Sequence, residues 1–320
     1  MEEQIFVSIC IPAYNRKAYL QRLLDSIQEQ SYRHFEVVLT DDSPGSEVYD
    51  LVRHHALGIS IRYYKNESTL GTPENWNEGI RRATGPWIKL MHDDDWFRDA
   101  DALGGFIRVI KKNKADFYFS AYHNVYPDKH TEPVYCPAAF LSRLNRNPEI
   151  LLAANRIGPP SAVIFRNDPQ ISFDRRFRWL VDFDFYMAYL KAHPPAVYIH
   201  EPLVCIGISE SQVTQSSFGK PEIEIPERLM IWGKMNPRSS RDLRIYDSWW
   251  RFVRNLQIAS PAEIREAGYK GPLPLFVVSM IGWQKYIPGN VLKQGFFSKI
   301  LMLGHYLIHY GTDYSQYTDV

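Results

Sequence analysis

The 320-residue sequence is short of cysteine, of net charge and of long apolar runs, and each shortage narrows what the chain is. Its three cysteines, Cys10, Cys136 and Cys205, are far apart and odd in number, so they form neither a disulfide framework nor a zinc motif. Cys10 sits inside an apolar run and reads as a small buried hydrophobe. A reducing compartment suits the set. The 37 basic and 36 acidic residues leave a net charge of +1, without the basic field of a nucleic-acid-binding surface. No nucleic-acid partner is expected. No apolar run is long enough to cross a bilayer. The opening Met1-Glu2-Glu3-Gln4 lacks the charged-then-apolar pattern of a secretory leader, so the sequence predicts a cytoplasmic protein. The G-x-G-x-x-G fingerprint is missing after the first apolar run, and so is a P-loop lysine motif, which disfavours dinucleotide and ATP folds of those types. Internal repeats and low-complexity segments are absent too.

What remains is an ordinary globular composition, 45% hydrophobic and 23% charged, able to bury a sizeable core. Aromatics make up 14%. Their faces suit the C–H faces of sugar rings, but core packing explains them equally well.

Apolar runs with strand character alternate with helical periodicity. Phe6–Ile11 reads as a buried strand ended by Pro12, and Leu20, Leu23, Leu24 and Ile27 mark a helix from about Lys17 to Gln30. Phe35–Leu39 is a second strand, closed by the loop chemistry of Thr40-Asp41-Asp42-Ser43-Pro44-Gly45. Strands at Ile59–Tyr64, Trp87–Met91 and Asp116–Tyr122 follow, with helices at Glu74–Thr84 and around Leu103–Ile110. The pattern predicts an α/β fold with a mostly parallel central sheet flanked by helices. After Tyr126 it loosens to a short strand at Val163–Phe165, a helix at Asp182–Ala192 and a strand at Ala196–Ile199. From about residue 226 bulky apolar helices take over. The expected division is residues 1–225 for the α/β domain and 226–320 for a C-terminal helical appendage.

In an open parallel sheet, ligands bind beyond the carboxyl ends of the strands. Three strands end there in polar residues: Pro12-Ala13-Tyr14-Asn15-Arg16, Thr40-Asp41-Asp42-Ser43 and His92-Asp93-Asp94-Asp95-Trp96. Three adjacent carboxylates repel one another unless solvated or neutralised, and carboxylates suit Mg²⁺ or Mn²⁺. In an extended segment Asp93 and Asp95 point the same way and reach one ion, or an ion and a ribose. A solvated turn or a helix N-cap is the alternative. The convergence of three polar strand ends favours the metal, with the carboxylates on an exposed rim. Asp41 and Asp42 suit a nucleobase or ribose; turn chemistry before Pro44-Gly45 suits them equally.

Taken in order, Ile11-Pro12-Ala13-Tyr14-Asn15, Thr40-Asp41-Asp42-Ser43, Asn66…Gly71…Asn75-Trp76-Asn77-Glu78-Gly79 and Asp93-Asp94-Asp95 resemble family 2 glycosyltransferases of the GT-A fold, over about the first 215 residues. The resemblance implies a metal-dependent inverting transferase with a UDP- or dTDP-sugar donor and a glycan or lipid-linked glycan acceptor, of the bacterial surface-polysaccharide type. It assigns Pro12, Ala13, Tyr14 and Arg16 to the nucleotide, Asp41 or Asp42 to the base, and Asn75, Asn77 and Gly79 to a helix flanking the donor. Asp93 and Asp95 become metal and ribose ligands, with Asp94 an alternative. Pro160 and Ser161, within Gly158–Ala162, fall on the acceptor side. Asp182 takes the catalytic-base position at a helix start, a place where an N-cap is compatible. Two departures stand out. Val181 precedes the base where many relatives have Glu, and aligning Gln212-Val213-Thr214 puts Ser209 where many have a metal-binding histidine. The third metal ligand is thereby open; His92 is a substitute, with a solvated histidine as its alternative. Rival readings are a non-catalytic sugar- or nucleotide-binding subunit and a sugar nucleotidyltransferase.

Two late stretches, Leu275–Trp283 and Phe296–Tyr310, are very apolar and flanked by lysines and aromatics. They predict either a helix pair closing a core or a face that docks on the inner surface of the cell membrane.

Overall fold

The structure is a computed structural model that describes residues 4–55, 58–209, 219–309 and 317–318. The chain divides into two compact units, Met1–Pro148 with Arg156–Gln212 and Glu149–Asn155 with Val213–Val320.

The first unit is built on a nine-stranded sheet: β1 (Val7–Ala13), β2 (Phe35–Asp41), β3 (Ile61–Lys65), β4 (Trp87–Leu90), β5 (Trp96–Phe97), β6 (Phe117–Val125), β7 (Thr131–Val134), β8 (Val163–Arg166) and β9 (Ala196–Gly207). The order is β3-β2-β1-β4-β8-β6-β9-β5, with β7 added beside β6. β1 to β4, β6 and β9 run one way, whereas β8 is antiparallel to both its neighbours and β5 is antiparallel to β9. The sheet is therefore mostly parallel, as the alternating pattern predicts.

Helices α1 (Lys17–Gln28), α2 (Glu47–His55), α3 (Glu74–Arg82), α4 (Ala102–Ile110), α5 (Ala138–Leu144) and α6 (Val181–Ala192) connect and flank the strands. α1 buries Leu20, Leu23, Leu24 and Ile27, the residues that share one face at a period of 3.6. β1 lacks alternation because it is central and covered on both faces. α2 carries its apolar residues in a polar stretch, which hid it from periodicity, and β9 runs eight residues past its expected end at Ile199.

The strand registers create the site. Ala13 lies opposite Asp41, and Cys10 opposite Leu90, so β1, β2 and β4 deliver their final residues to one rim. Because β8 runs against β4, its beginning meets the end of β4. That reversal carries Ser161, just ahead of β8, to the acidic turn.

The second unit is helical: α7 (Pro221–Lys234), α8 (Leu243–Asn255), α9 (Pro261–Glu266), α10 (Leu275–Gln284), α11 (Gly289–Lys293) and α12 (Gly295–His309). Trp232, Trp249, Trp250, Tyr246 and Phe276 are buried at its centre. α12 turns Ser298, Met302, His305 and Tyr306 inward. Ser298 Oγ accepts from Trp250 Nε1 at 3.1 Å, and Tyr306 donates to the Arg241 carbonyl at 2.7 Å. Two details differ from the expected division. Residue 226 falls inside α7, so the helical unit begins earlier in the chain. The short segment Glu149–Asn155 also belongs to it, since the buried Glu149 accepts from Asn236 N at 2.8 Å and from the Ser239 hydroxyl.

Candidate active site

The acidic run leaves the fully buried β4 as a turn, with Asp95 N–H donating to the His92 carbonyl at 3.1 Å. This decides which carboxylates meet. Side chains two apart share a side only in an extended chain. In the turn, Asp94 rather than Asp93 joins Asp95. One ring nitrogen of His92 and one carboxylate oxygen each from Asp94 and Asp95 lie within 4.8 Å of one another.

The three carboxylates do not sit on an exposed rim. Asp95 is 1% exposed, and Asp93 and Asp94 are buried too. Asp95 accepts from Gly207 N at 3.2 Å and from the Ser161 hydroxyl. Burial, then the neighbouring Asp94 charge, raises its carboxyl well above the ordinary range. Gly207 has to be glycine, because a Cβ there would come within 2.5 Å of the Asp94 carbonyl oxygen.

Arginine supplies part of the missing positive charge. Arg16 Nη1 is 2.9 Å from Asp94 Oδ2 and 3.5 Å from Asp93 Oδ1. Arg22, stacked 3.5 Å over the Trp96 ring, donates to the Asp94 carbonyl at 2.7 Å. Lys89 is entirely buried and donates to the carbonyls of Ser161 and Val163; burial pushes its amine down to about 7. Ser161 is thus a junction. Its carbonyl holds Lys89, and its hydroxyl accepts from His92 N at 3.0 Å and serves Asp95.

His92 is only partly solvated, its side chain 21% exposed. Its ring lies against Trp76, 4.6 Å between centroids, and its Nε2 is buried without a hydrogen-bond partner. Burial drives its imidazole down to about 4, so it is neutral at pH 7 with a lone pair to offer. A neutral imidazole, an orphaned ring nitrogen and two desolvated carboxylates fit a divalent cation of the Mn²⁺ or Mg²⁺ type.

The other predicted residues surround this centre in different ways. Pro12 and Ala13 end β1, and Tyr14 projects outward, half exposed, while its N–H donates to Asp93. Asp41 is fully buried and accepts from Ser43 N, the Tyr63 hydroxyl and Lys65. Asp42 accepts from Asn66 and from the N–H groups of Leu70 and Gly71, and so holds the 66–71 loop. Asn75 bonds Asn66 and the Thr40 carbonyl. Asn77 makes a two-way pair with the backbone of Phe173, at 2.8 and 3.0 Å. Gly79 packs α3 against Cys10 and Thr40. Asn75, Asn77 and Gly79 are thus engaged in building the wall beside the rim. Pro160 and Ser161 form a buried helical turn ahead of β8. Asp182 is the second residue of α6 and is half-buried. Burial, with the charges of Asp182 and Asp95 adding to it, pushes the Tyr122 hydroxyl up to about 12. Gln212–Thr214 lies outside the described residues.

Sequence reasoning passed over Lys89, Arg22, Tyr122 and Gly207. A lysine inside the apolar run Trp87–Met91 was the one available signal, since buried lysines are rare without a partner.

The acidic turn has a pH signature. Burial and the Asp94 charge raise the Asp93 carboxyl from 3.8 to about 7. The folded protein then holds a proton that the unfolded chain releases at lower pH. Its stability contribution is complete below the ordinary carboxylate range and is lost as pH rises through about 7. Metal-stripped protein should melt at lower temperature at pH 8 than at pH 5, and Asp93→Asn should flatten that slope. Calorimetry in a chelator checks this; an identical slope in the variant would contradict it.

Residues 8–168 match the family described as Glycosyl transferase family 2, and the chain belongs to that family. It is a glycosyltransferase of the GT-A fold. It is 27% identical over 201 residues to an uncharacterized glycosyltransferase of Haemophilus influenzae, covering 62% of this chain and 66% of that one. It is 24% identical over 125 residues to the GalNAc(5)-diNAcBac-PP-undecaprenol beta-1,3-glucosyltransferase of Campylobacter jejuni, covering 38% and 39%. Among solved structures, S. aureus TarS 1–349 in complex with UDP-GlcNAc superposes with a TM-score of 0.60 at 16% identity, over 91% of this chain and 92% of that one. The mannosyltransferase PcManGT from Pyrobaculum calidifontis, in complex with GDP-Man and Mn²⁺, gives 0.58 at 14% identity, over 97% and 88%.

Proposed function

We propose that the chain is a metal-dependent inverting glycosyltransferase that moves a sugar from a nucleoside-diphosphate donor to a hydroxyl of a glycan acceptor in bacterial surface polysaccharide biosynthesis. The observation that supports it most is the cluster of a partly exposed His92 with the buried Asp94 and Asp95 at the rim where β1, β2 and β4 end. Buried like charges cost stability, and a cation-dependent role is the reason to keep them.

The donor is a UDP- or dTDP-sugar. Pro12, Ala13 and Tyr14 hold its nucleotide, the Asp41–Asp42 corner faces the base, and Asn75, Asn77 and Gly79 support that wall. Arg16 stands ready to turn from Asp94 to the diphosphate. Asp94, Asp95 and His92 hold the metal, and Asp93 stays with Arg16 or reaches the ribose. A bound Mg²⁺ or Mn²⁺ supplies positive charge against the departing diphosphate. Asp182 takes the proton from the acceptor hydroxyl as its oxygen attacks the anomeric carbon from the face opposite the diphosphate, which inverts that carbon. Pro160 and Ser161 line the acceptor side. The acceptor is a lipid-linked glycan, in keeping with the undecaprenol diphosphate in the Campylobacter relative's name.

The test is product identity. Purified protein with UDP- and dTDP-sugars should release nucleoside diphosphate when Mn²⁺ or Mg²⁺ is present and much less in a chelator. Pyrophosphate as product, or turnover indifferent to the chelator, overturns the reading.

A further inference from the structure

α12 has two different faces, one buried and one exposed. Ser298, Met302, His305 and Tyr306 point inward and close the helical core. The other face carries Phe296, Ile300, Leu303 and Leu307, spaced four, three and four residues apart, which places them in one stripe along the helix. Their exposures run from 41% at Leu303 to 73% at Phe296, and Phe297 and Ile308 widen the stripe at 51% and 66%. Tyr286, 83% exposed, and Trp283 add aromatic surface before the helix. An exposed face this apolar marks a place where something docks.

Charge decides what docks. Between Glu266 and Asp313 the sequence has no acidic residue, while Lys270, Lys285, Lys293 and Lys299 all occur there. All four are exposed. Lys299 lies on α12 itself, beside the stripe. Interfaces between protein copies are depleted in lysine. Lysines bordering an apolar, aromatic-rimmed helix face are the composition of a helix lying at a lipid surface, with side-chain stems along the acyl boundary and ammonium groups among headgroups. At 15 residues α12 is about 22 Å long, too short to span a bilayer but suited to lie along one.

We infer that the outer face of α12, with Lys285, Lys293 and Lys299, is a docking surface for an anionic lipid bilayer. The inference does not depend on the sugar-transfer reading, and its test uses neither donor nor acceptor. Full-length protein is sedimented with vesicles of phosphatidylcholine alone or with 30% phosphatidylglycerol, at about 50 and 500 mM salt. Binding should require the anionic lipid and fall with salt. Phe296→Ser with Leu307→Ser should lower the partition at least 10-fold, because two large side chains lose their insertion. Lys285→Glu with Lys293→Glu and Lys299→Glu should lower it roughly 100-fold or more, at the scale of about fivefold lost per lysine. All five positions are exposed or bordering solvent, so melting temperatures should stay near wild type and show that the variants fold. Failure of wild type to bind anionic vesicles at low salt overturns the inference. So does wild-type binding by either folded variant. A dimer that the Phe296→Ser, Leu307→Ser variant dissociates, with no vesicle binding by wild type, would assign the face to a second copy of the chain and overturn the inference as well.

Discussion

Asp182→Asn should leave donor affinity nearly unchanged and lower sugar transfer by roughly 10²-fold or more, the usual scale for loss of a general base. Asparagine keeps the shape and one oxygen at the start of α6, so the helix should form as before. What it loses is the capacity to accept the acceptor's proton. The effect should therefore fall on turnover, while donor binding is kept. Donor titration by calorimetry, alongside transfer rates, separates the two. Near-wild-type turnover would remove Asp182 from the chemistry and turn attention to Asp184, buried two residues further along α6.

The second large effect is expected at Asp95, and it runs in two directions at once. Asp95→Asn should abolish metal-dependent donor binding, by at least the 10- to 100-fold that even a supporting residue of a metal site is worth. The same substitution should raise the melting temperature in a chelator. The carboxylate is buried and faces Asp94, and both effects oppose its ionisation. The amide keeps an oxygen for the Gly207 N–H and removes the charge. A thermal-shift series with UDP, with and without Mn²⁺, reads both outcomes, since a ligand that binds the native state raises stability with its concentration. An unchanged Mn²⁺ dependence would take Asp95 out of the metal site. A lower melting temperature in chelator would mean that its hydrogen bonds outweigh its charge.

The two substitutions share a logic seen across the rim. Lys89, Asp94 and Asp95 are buried polar groups of the kind a stable core avoids, held in place by Ser161, Gly207 and two arginines, with the buried Nε2 of His92 beside them. Stability given up at one place in a fold, with no packing reason for it, is characteristic of a functional site.

Much of this was legible in the order of residues. Strand-like runs at Phe6–Ile11, Phe35–Leu39 and Trp87–Met91, with helical periodicity between the first two, were enough for a parallel sheet, because a buried central strand must be apolar on both faces. The rule that ligands collect beyond parallel strand ends then located the acidic run at the rim. Helix α6 was expected within one residue of its observed start. Of the two readings of the α12 stretch, the structure shows the core-closing face, with an exposed apolar face opposite it.

Other features depended on pairing across long separations. Ser161 comes to His92 because β8 is antiparallel, and a four-residue apolar strand does not announce its direction. Gly207 reaches Asp95 across 112 residues, at the end of a strand whose irregular pairing with β6 hid its length. Asp94 replaced Asp93 beside Asp95 because one backbone hydrogen bond made a turn of what spacing treats as extended. The His92 ring is partly covered by Trp76, which arrives on α3. By itself, then, the sequence determined the class of fold, the rim and the chemical types gathered there, since these follow from local periodicity and from residue chemistry. Which carboxylates meet, which histidine is neutral and which backbone groups hold them were decided only in the tertiary structure. They depend on strand direction, register and desolvation, and none of these is a property of neighbouring residues in the chain.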